Sequence, residues 1–152
     1  MSRRDWLLLL LAYEGAPDGL DPIRVQKSMF LLREDPDTDF PADEAYDFVP
    51  YNYGPMSKAI YGDLDALIAD GFAATEPVRG QSWPLFRATP NGLLEAGRLV
   101  ESMRASDIPL ARKLFEIKRL VADSTFDELV EYIYERWPDY ESESIFRRLP
   151  AS

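Results

Sequence analysis

The chain has 152 residues, of which 46% are apolar and 12% aromatic, and its formal net charge is −10. A chain of this length is expected to form one domain that buries a core without covalent cross-links. Because it contains neither cysteine nor histidine, structural zinc sites, iron–sulfur clusters, thiol nucleophiles and histidine general bases are excluded.

The N-terminal apolar run predicts a buried helix rather than a targeting or membrane-spanning segment. It covers only residues 6–13, between Asp5 and Glu14, whereas a spanning helix needs about 20 apolar residues. Ser2 is positioned as the N-cap of a helix from Arg3 to Glu14. Since this helix has almost no polar face, we expect it to be surrounded by protein. Separately, we expect the protein to be cytoplasmic.

The second helix is predicted from Asp21 and Pro22, a cap residue followed by proline at the first helical position. After it comes an acidic connector, residues 34–45. Residues 34–72 together hold ten acidic residues and one lysine. The aspartates of the connector have the spacing of a calcium loop, but its sixth position is Phe40 instead of glycine. We therefore predict no metal site and no cofactor.

The residues after the connector predict a short strand followed by an amphipathic helix. Residues 46–50 predict a short aromatic strand, which turns through residues 52–55 into a helix from about Ser57 to Asp70, stopped by Gly71. One stripe of this helix is apolar and is expected to face the core: Ile60, Leu64, Leu67 and Ile68. A second stripe contains only small residues: Ala59, Gly62, Ala66 and Ala69. Either it packs internally on the first or second helix, or it meets a partner.

Farther along the chain, a hairpin and three more helices are predicted. Residues 72–77 and 83–88 have the pattern of two strands joined by a turn. Thr89 and Pro90 repeat the cap-and-proline start. The last helix begins at Ser124 or Thr125 and has the clearest periodicity of the chain, with an inward stripe of Phe126, Leu129, Val130, Ile133, Tyr134 and Trp137.

The order of these elements predicts a mainly α, α+β fold of the winged helix-turn-helix type. Helices two and three would form the helix-turn-helix and residues 72–88 the wing, with the strand at 46–50 placed to pair with the wing in a small three-stranded sheet. The expected organisation is a single domain at 1–140, with a winged-helix core at 1–105, a C-terminal helical extension at 106–140 and a tail at 141–152.

The motifs around the third helix resemble a known family. Gln26 and Lys27, in the helical segment 25–32, precede the segment Tyr46-Asp-Phe-Val-Pro-Tyr-Asn-Tyr-Gly-Pro-Met-Ser57. Together they resemble the YwgA-like bacterial proteins and, more distantly, the Panacea antitoxin domain, in which a Gln-Lys helix precedes a Gly-Pro turn and a tyrosine-bearing helix. The resemblance implies a small, non-enzymatic, prokaryotic or phage-encoded protein with an adaptor or regulatory role.

Enzymatic and DNA-binding functions fit the sequence less well than protein binding. Without histidine or cysteine, catalysis would need other groups gathered in a cleft, and no motif shows them. For DNA, the third helix offers phosphates a single lysine and carries three aspartates that would repel them. An alternative DNA-binding regulator would use basic residues on and after the wing: Arg79, Arg87 and Arg98.

A protein-binding surface fits best, because tyrosines bury a large area while keeping a polar end. The predicted surface consists of Tyr51, Tyr53, Lys58, Tyr61, Gly62 and Asp65. The competing interpretation is that the tyrosines simply cover the turn before the helix. We expect a protein partner in an antitoxin-like or defence-associated context. We also expect a homodimer if the last helices extend and must cover Leu110, Leu114, Ile117 and Val121.

Overall fold

Six α-helices and four β-strands follow one another in residues 1–16 and 18–146, the part of the chain that the structure describes. The computed structural model thus has the mainly helical α+β class that the sequence predicts. The helices are α1 (Arg3–Ala12), α2 (Pro22–Glu34), α3 (Lys58–Ala69), α4 (Pro90–Ser102), α5 (Ile108–Asp123) and α6 (Phe126–Arg136). The strands are β1 (Val49–Tyr51), β2 (Gly54–Met56), β3 (Ala73–Pro77) and β4 (Pro84–Ala88).

None of the described helices is both long enough and apolar enough to cross a membrane. Of the predicted tail at 141–152, residues 147–152 lie outside the described part of the chain. Residues 138–141 form a short 3₁₀ turn after α6.

Helix α1 lies in the core, as its lack of a polar face predicts. Its six consecutive side chains at residues 6–11 are buried. Ser2 is the N-cap, and it exchanges hydrogen bonds with Asp5 in a capping box. The predicted end at Glu14 is slightly too late, because the backbone has already become extended at Tyr13.

A lysine from α5 caps the C-terminal end of α1. Buried Lys118 donates hydrogen bonds from Nζ to the carbonyl oxygens of Leu11, at 3.1 Å, and of Tyr13. Burial lowers the pKa of Lys118 to about 8. A donor at this position satisfies carbonyls that a helix leaves free at its end, and the protonated form complements the helix dipole.

The predicted caps of three later helices are confirmed. The Asp21 side chain accepts a hydrogen bond from the backbone N–H of Arg24 at 2.8 Å, with Pro22 as the first helical residue. Thr89 caps α4 and Thr125 caps α6 in the same way. Each of these starts is encoded locally, because the cap and the N–H it satisfies lie within three residues.

The strands form two separate two-stranded sheets, so the predicted three-stranded sheet is wrong. Strand β1 pairs antiparallel with β2, with Pro50 opposite Pro55, and β3 pairs antiparallel with β4. The predicted strand at 46–50 begins later, because Tyr46 is a buried anchor: its hydroxyl donates to Asp63 on α3 at 2.6 Å. Burial and this hydrogen bond raise the pKa of Tyr46.

A residue between α1 and α2 extends the second hairpin. Leu20 and Phe86 form an antiparallel bridge, with N–H···O distances of 2.9 and 2.8 Å. Gly19, at φ 99°, lies so close to this bridge that an added Cβ would be 2.5 Å from the carbonyl oxygen of Phe86. Glycine is therefore required for the chain to approach β4.

Helix α3 faces the core with three of its four predicted residues. Ile60, Leu64 and Leu67 are at most 1% exposed, but Ile68 is 37% exposed and was wrongly assigned to the core. The main helix and strand neighbours of α3 are α1 and β3, and one apolar residue per turn is enough to pack against them. Ile68 therefore adds to the apolar outer surface.

Helices α5 and α6 fold back on the rest of the chain. The α5 residues that a dimer was expected to cover are buried in the molecule's own core: Leu110, Leu114, Ile117 and Val121. This route to a homodimer is therefore wrong. In α6, the predicted inward stripe is confirmed for Leu129, Val130, Ile133 and Tyr134, which are at most 2% exposed, while Phe126 and Trp137 are half-buried against the core.

Candidate functional site

Four of the six predicted docking residues line one cavity. Tyr51, Tyr53, Lys58 and Tyr61 surround a space of about 440 Å³ between α2, the β1–β2 hairpin and the start of α3. We call this space the tyrosine cavity. Its other lining residues are Ile23, Gln26, Lys27, Asn52, Gly54, Pro55 and Met56. Tyr51 and Tyr61 are 50% and 40% exposed, so their rings remain accessible at its edge.

A glutamine from α2 fixes the start of α3 beside the cavity. Buried Gln26 donates to the carbonyl oxygen of Ser57 and accepts from the N–H of Ser57, both at 2.9 Å. A side-chain amide that makes both bonds with one residue acts like a neighbouring strand, so neither backbone group remains unpaired. The Gln-Lys helix and the Gly-Pro-Met-Ser segment of the sequence motif are therefore in direct contact.

The neighbouring Lys27 lies on the buried side of the cavity. It is 3% exposed, and its Nζ donates to the carbonyl oxygen of Pro55 at 3.1 Å. Burial lowers the pKa of Lys27 to about 7, and the carboxylate of Asp21 acts in the opposite direction. Lys27 forms no ion pair with any described residue, which is uncommon for a buried lysine.

The hairpin is held from behind by α6 and the residues that follow it. Tyr53 packs edge-on against Phe126, with ring centroids 5.1 Å apart. The Asn52 carbonyl oxygen accepts from the N–H of Ile145 at 2.9 Å and from the hydroxyl of Ser144 at 3.3 Å. Contacts on both sides therefore fix the turn that carries two of the tyrosines.

Gly54 is required in this hairpin for two reasons. Its φ is 105°, a conformation that L side chains rarely adopt. A Cβ added there would also be 3.3 Å from Cε1 of Tyr134 and 3.5 Å from Nζ of Lys27. The Gly-Pro turn thus brings the backbone close to the buried lysine.

The two remaining predicted docking residues lie farther along α3. Gly62 and Asp65 are exposed and do not line the cavity. A Cβ added at Gly62 would have no heavy atom within 4 Å. Gly62 is therefore not the site of a close internal approach, which excludes the internal-packing interpretation at this position.

The acids of α3 are more neutralised than the sequence indicates. Arg3 of α1 lies 3.4 Å from the Asp63 carboxylate, and Arg4 forms an ion pair with Asp70. Among the described residues, Asp65 forms no ion pair and stays exposed. The outer face of α3 is thus close to neutral instead of strongly acidic.

Two of the three alternative DNA-binding arginines are already paired. Arg87 lies 2.6 Å from the Glu76 carboxylate across the second hairpin, and Arg98 lies 3.0 Å from Glu95 on the same helix. Arg79 is exposed and forms no ion pair within the described part of the chain. Arg79 and Arg87 line one cavity together with the acidic residues Asp18 and Glu76, and Arg98 is not among the residues that line it.

Sequence reasoning identified the tyrosines but missed their buried support. The sequence indicates Gln26 and Lys27 only as parts of the motif, whereas in the structure both contact the Gly-Pro-Met-Ser segment. The available signal was their position within a helix whose residues from Val25 to Leu32 are otherwise mostly apolar. Among the described residues, no group of three or more acidic side chains is placed to hold a metal ion.

Comparison with known proteins adds no assignment. No protein-family model matches the sequence, and no curated protein matches it. The resemblance to the YwgA-like and Panacea proteins therefore stays a prediction that rests on the residues quoted above.

Proposed function

We propose that this protein is a non-enzymatic regulator or adaptor of a bacterium or phage, antitoxin-like or defence-associated, that binds a protein partner at the tyrosine cavity. One observation carries the proposal: four residues chosen from the sequence as docking residues meet at a single accessible cavity. Gly62 and Asp65, which are both exposed, extend the surface along α3.

The cavity is suited to binding because its walls are fixed before a partner arrives. The two hydrogen bonds of Gln26, the Lys27 bond to Pro55 and the packing of Tyr53 all hold the hairpin. Aromatic side chains on a fixed backbone lose little conformational entropy on binding, which favours them as anchors. This supports a docking role over simple coverage of the turn.

A capture experiment with matched surface variants tests this proposal. Tyr51→Ala combined with Tyr61→Ala should abolish capture of the partner from the native cell, while thermal melting stays close to that of the parent. Trp83→Ala is the control, because Trp83 is 45% exposed but lies next to β4 in the second hairpin. A partner that is retained by the tyrosine variant, or lost with the Trp83 variant, would contradict the proposed surface.

We further propose a winged-helix scaffold. The order α1, Leu20 bridge, α2, α3 and β3–β4 hairpin supports it, since Leu20 takes the place of a strand between the first two helices. The connection between α2 and α3 departs from a helix-turn-helix, where three or four residues join the helices. Here residues 35–57 intervene and include the β1–β2 hairpin.

The second candidate function is DNA binding through the wing and later basic residues, favoured by exposed Arg79 at the turn of the second hairpin. Anisotropy titration with duplex DNA at low salt tests it. We expect no submicromolar binding through α3, because Lys58 is its only base. Binding that is lost with Lys58→Glu but survives Arg79→Glu combined with Arg87→Glu would contradict this expectation.

A homodimer remains a proposal, on a different face from the one expected. Helix α4 buries small Gly92 and Ala96, whereas Leu93, Leu94 and Val100 are 47–62% exposed. Leu93 and Val100 are seven residues apart and therefore lie on the same side of α4. An antiparallel second copy of α4 would place Leu93 of each copy opposite Val100 of the other, which makes the contact self-complementary. Light scattering should then exceed the 17.4 kDa of one chain, and Leu94→Glu combined with Val100→Glu should restore that mass.

A further inference from the structure

The tyrosine cavity is locally basic in a protein whose formal net charge is −10. Two of the residues that line it are lysines, Lys27 on the buried side and Lys58 on the exposed side, and among the described lining residues none is acidic. The remaining lining side chains are aromatic, apolar or amide. The local charge is thus opposite to that of the whole molecule.

The start of α3 adds to this positive potential. The Ser57 side chain makes no capping hydrogen bond, and the first turn of α3 contains no acidic residue. The N-terminal end of a helix carries a partial positive charge on its free N–H groups. Because Lys58 is the first residue of α3 and lines the cavity, this helix end lies beside the cavity.

The buried ammonium of Lys27 has an incomplete set of partners. An ammonium group has three N–H donors, and the only hydrogen bond that Lys27 makes to the described chain goes to the Pro55 carbonyl oxygen at 3.1 Å. A buried charge is stable when it is paired. A carboxylate in the cavity would supply the counter-charge. The pKa of Lys27 is lowered by burial, which agrees with the lack of such a carboxylate beside its ammonium group in the isolated chain.

We propose that the tyrosine cavity binds the carboxylate of an acidic side chain, which a peptide segment of the partner presents between apolar residues. This inference rests on the proposed function and names what that site recognises. The lysines would pair with the carboxylate, while Tyr51, Tyr61 and Ile23 would contact its apolar neighbours. Phosphate is less suited to the site, because the described lining has no arginine, whose planar group matches phosphate in two-point contacts.

The probe is an acetylated, amidated tripeptide with glutamate between two leucines, and its counterpart with glutamine is the matched control. Both are titrated into the full chain and followed by amide NMR shifts. The glutamate peptide should bind at least about tenfold more tightly, with shifts concentrated in residues 51–61. Equal affinities, or shifts centred elsewhere, would overturn the proposal. Tighter binding of inorganic phosphate at the same residues would overturn the proposal, because the cavity would then recognise a phosphate group instead of a carboxylate.

Charge variants test the lysines separately from folding. Lys58→Gln removes an exposed charge and should weaken the glutamate peptide several-fold, with no effect on the glutamine peptide. Lys27→Met should weaken it further, provided that NMR shows an intact hairpin. Arg112→Gln on α5 removes one charge away from the cavity and should change neither affinity. Equal losses in the Lys58 and Arg112 variants would mean only general charge attraction and would overturn the site.

Failure of this inference is distinguishable from failure of the proposed function. If a partner depends on Tyr51 and Tyr61 but tolerates Lys58→Gln and binds through no acidic residue, the carboxylate site is wrong and the docking surface stands. If no partner depends on the tyrosines while the glutamate peptide still binds in the cavity, the protein-binding function is wrong.

Discussion

The two hairpins, residues 49–56 and 73–88, are held in opposite ways. In the β1–β2 hairpin, Gly54 and Pro55 are buried, and the turn contacts α2, α6 and the residues after α6. In the β3–β4 hairpin, residues 75–77 and 79–83 are exposed, and the Leu20–Phe86 bridge lies nearer the opposite end. Strand pairing alone is therefore a poor guide to rigidity. The side chains behind a hairpin determine whether it presents fixed groups.

The largest expected difference in stability is between two glutamine variants: one of Gln26, which lies on α2 and holds the first hairpin, and one of Gln81, which lies in the turn of the second. Gln26→Leu leaves the N–H of Ser57 buried and unpaired, while the Ser57 carbonyl keeps its bond from the N–H of Ile60 at 3.3 Å. The variant should therefore lower the free energy of unfolding by about 1–3 kcal/mol. Gln81→Leu, in the exposed turn of the second hairpin, should change it by less than about 0.5 kcal/mol. Urea denaturation measures both. Similar values would mean that Gln26 does not hold the first hairpin.

A pH series tests the burial of Lys27. Its folded pKa of about 7 lies below the usual 10.5, so between these values the unfolded chain holds a proton that the folded chain lacks. Stability should therefore rise with pH from about 7 to 10, by up to about 1.4 kcal/mol per pH unit from this lysine. Lys118 contributes in the same direction above its pKa of about 8, and this part should remain in Lys27→Met.

The difference in slope between the parent and Lys27→Met isolates Lys27. The charged groups to consider around it are Asp21, which favours its protonation, and Lys58 at the same cavity. Urea denaturation at pH 7, 8 and 9.5 gives the slope. Parallel curves for parent and variant would show that Lys27 titrates as an exposed lysine.

Two glycines with positive φ provide the next comparison. Gly54→Ala and Gly80→Ala should both cost about 1–2 kcal/mol for the backbone conformation. Gly54→Ala should cost about 1 kcal/mol more, since its Cβ would meet Tyr134 and Lys27, whereas nothing lies within 4 Å at Gly80. Thermal melts of the two variants measure this excess. An equal loss would mean that the first hairpin adjusts as freely as the second.

The smallest effect is expected for the ion pair across the second hairpin. Glu76→Gln removes the partner of Arg87, but both side chains are more than 40% exposed. Exposed ion pairs contribute about 0–1 kcal/mol, and salt screens them. The loss should therefore be under about 1 kcal/mol and should vanish in high salt. A larger loss would show that this hairpin depends on its charges.

Features encoded locally were predictable from the sequence. The caps at Ser2, Asp21, Thr89 and Thr125 need only a side chain and an N–H a few residues away, and the stripe of α6 needs only its own periodicity. Strand β2 was missed because Gly54 and Pro55 disfavour strands. Its position is fixed by Gln26 and Lys27, far away in sequence.

The site was predictable in its exposed part and not in its buried part. Tyrosines beside a Gly-Pro turn indicate a surface, and the structure places three of them around one cavity. A lysine in mid-helix is normally assigned to solvent. The apolar neighbours of Lys27 indicate that it could be buried, but they do not identify the Pro55 carbonyl as the partner of its ammonium group. The free space around Gly62 likewise depends on which elements pack near α3, and only the tertiary structure determines that.

The bond between Lys118 and the end of α1 has a consequence for the order of folding. It joins positions 107 residues apart, and contacts between such distant positions form slowly because a long loop must close first. During synthesis, the apolar residues of α1 leave the ribosome well before α5, which helps to bury them. We therefore expect the newly made N-terminal segment to depend on chaperones until α5 has emerged.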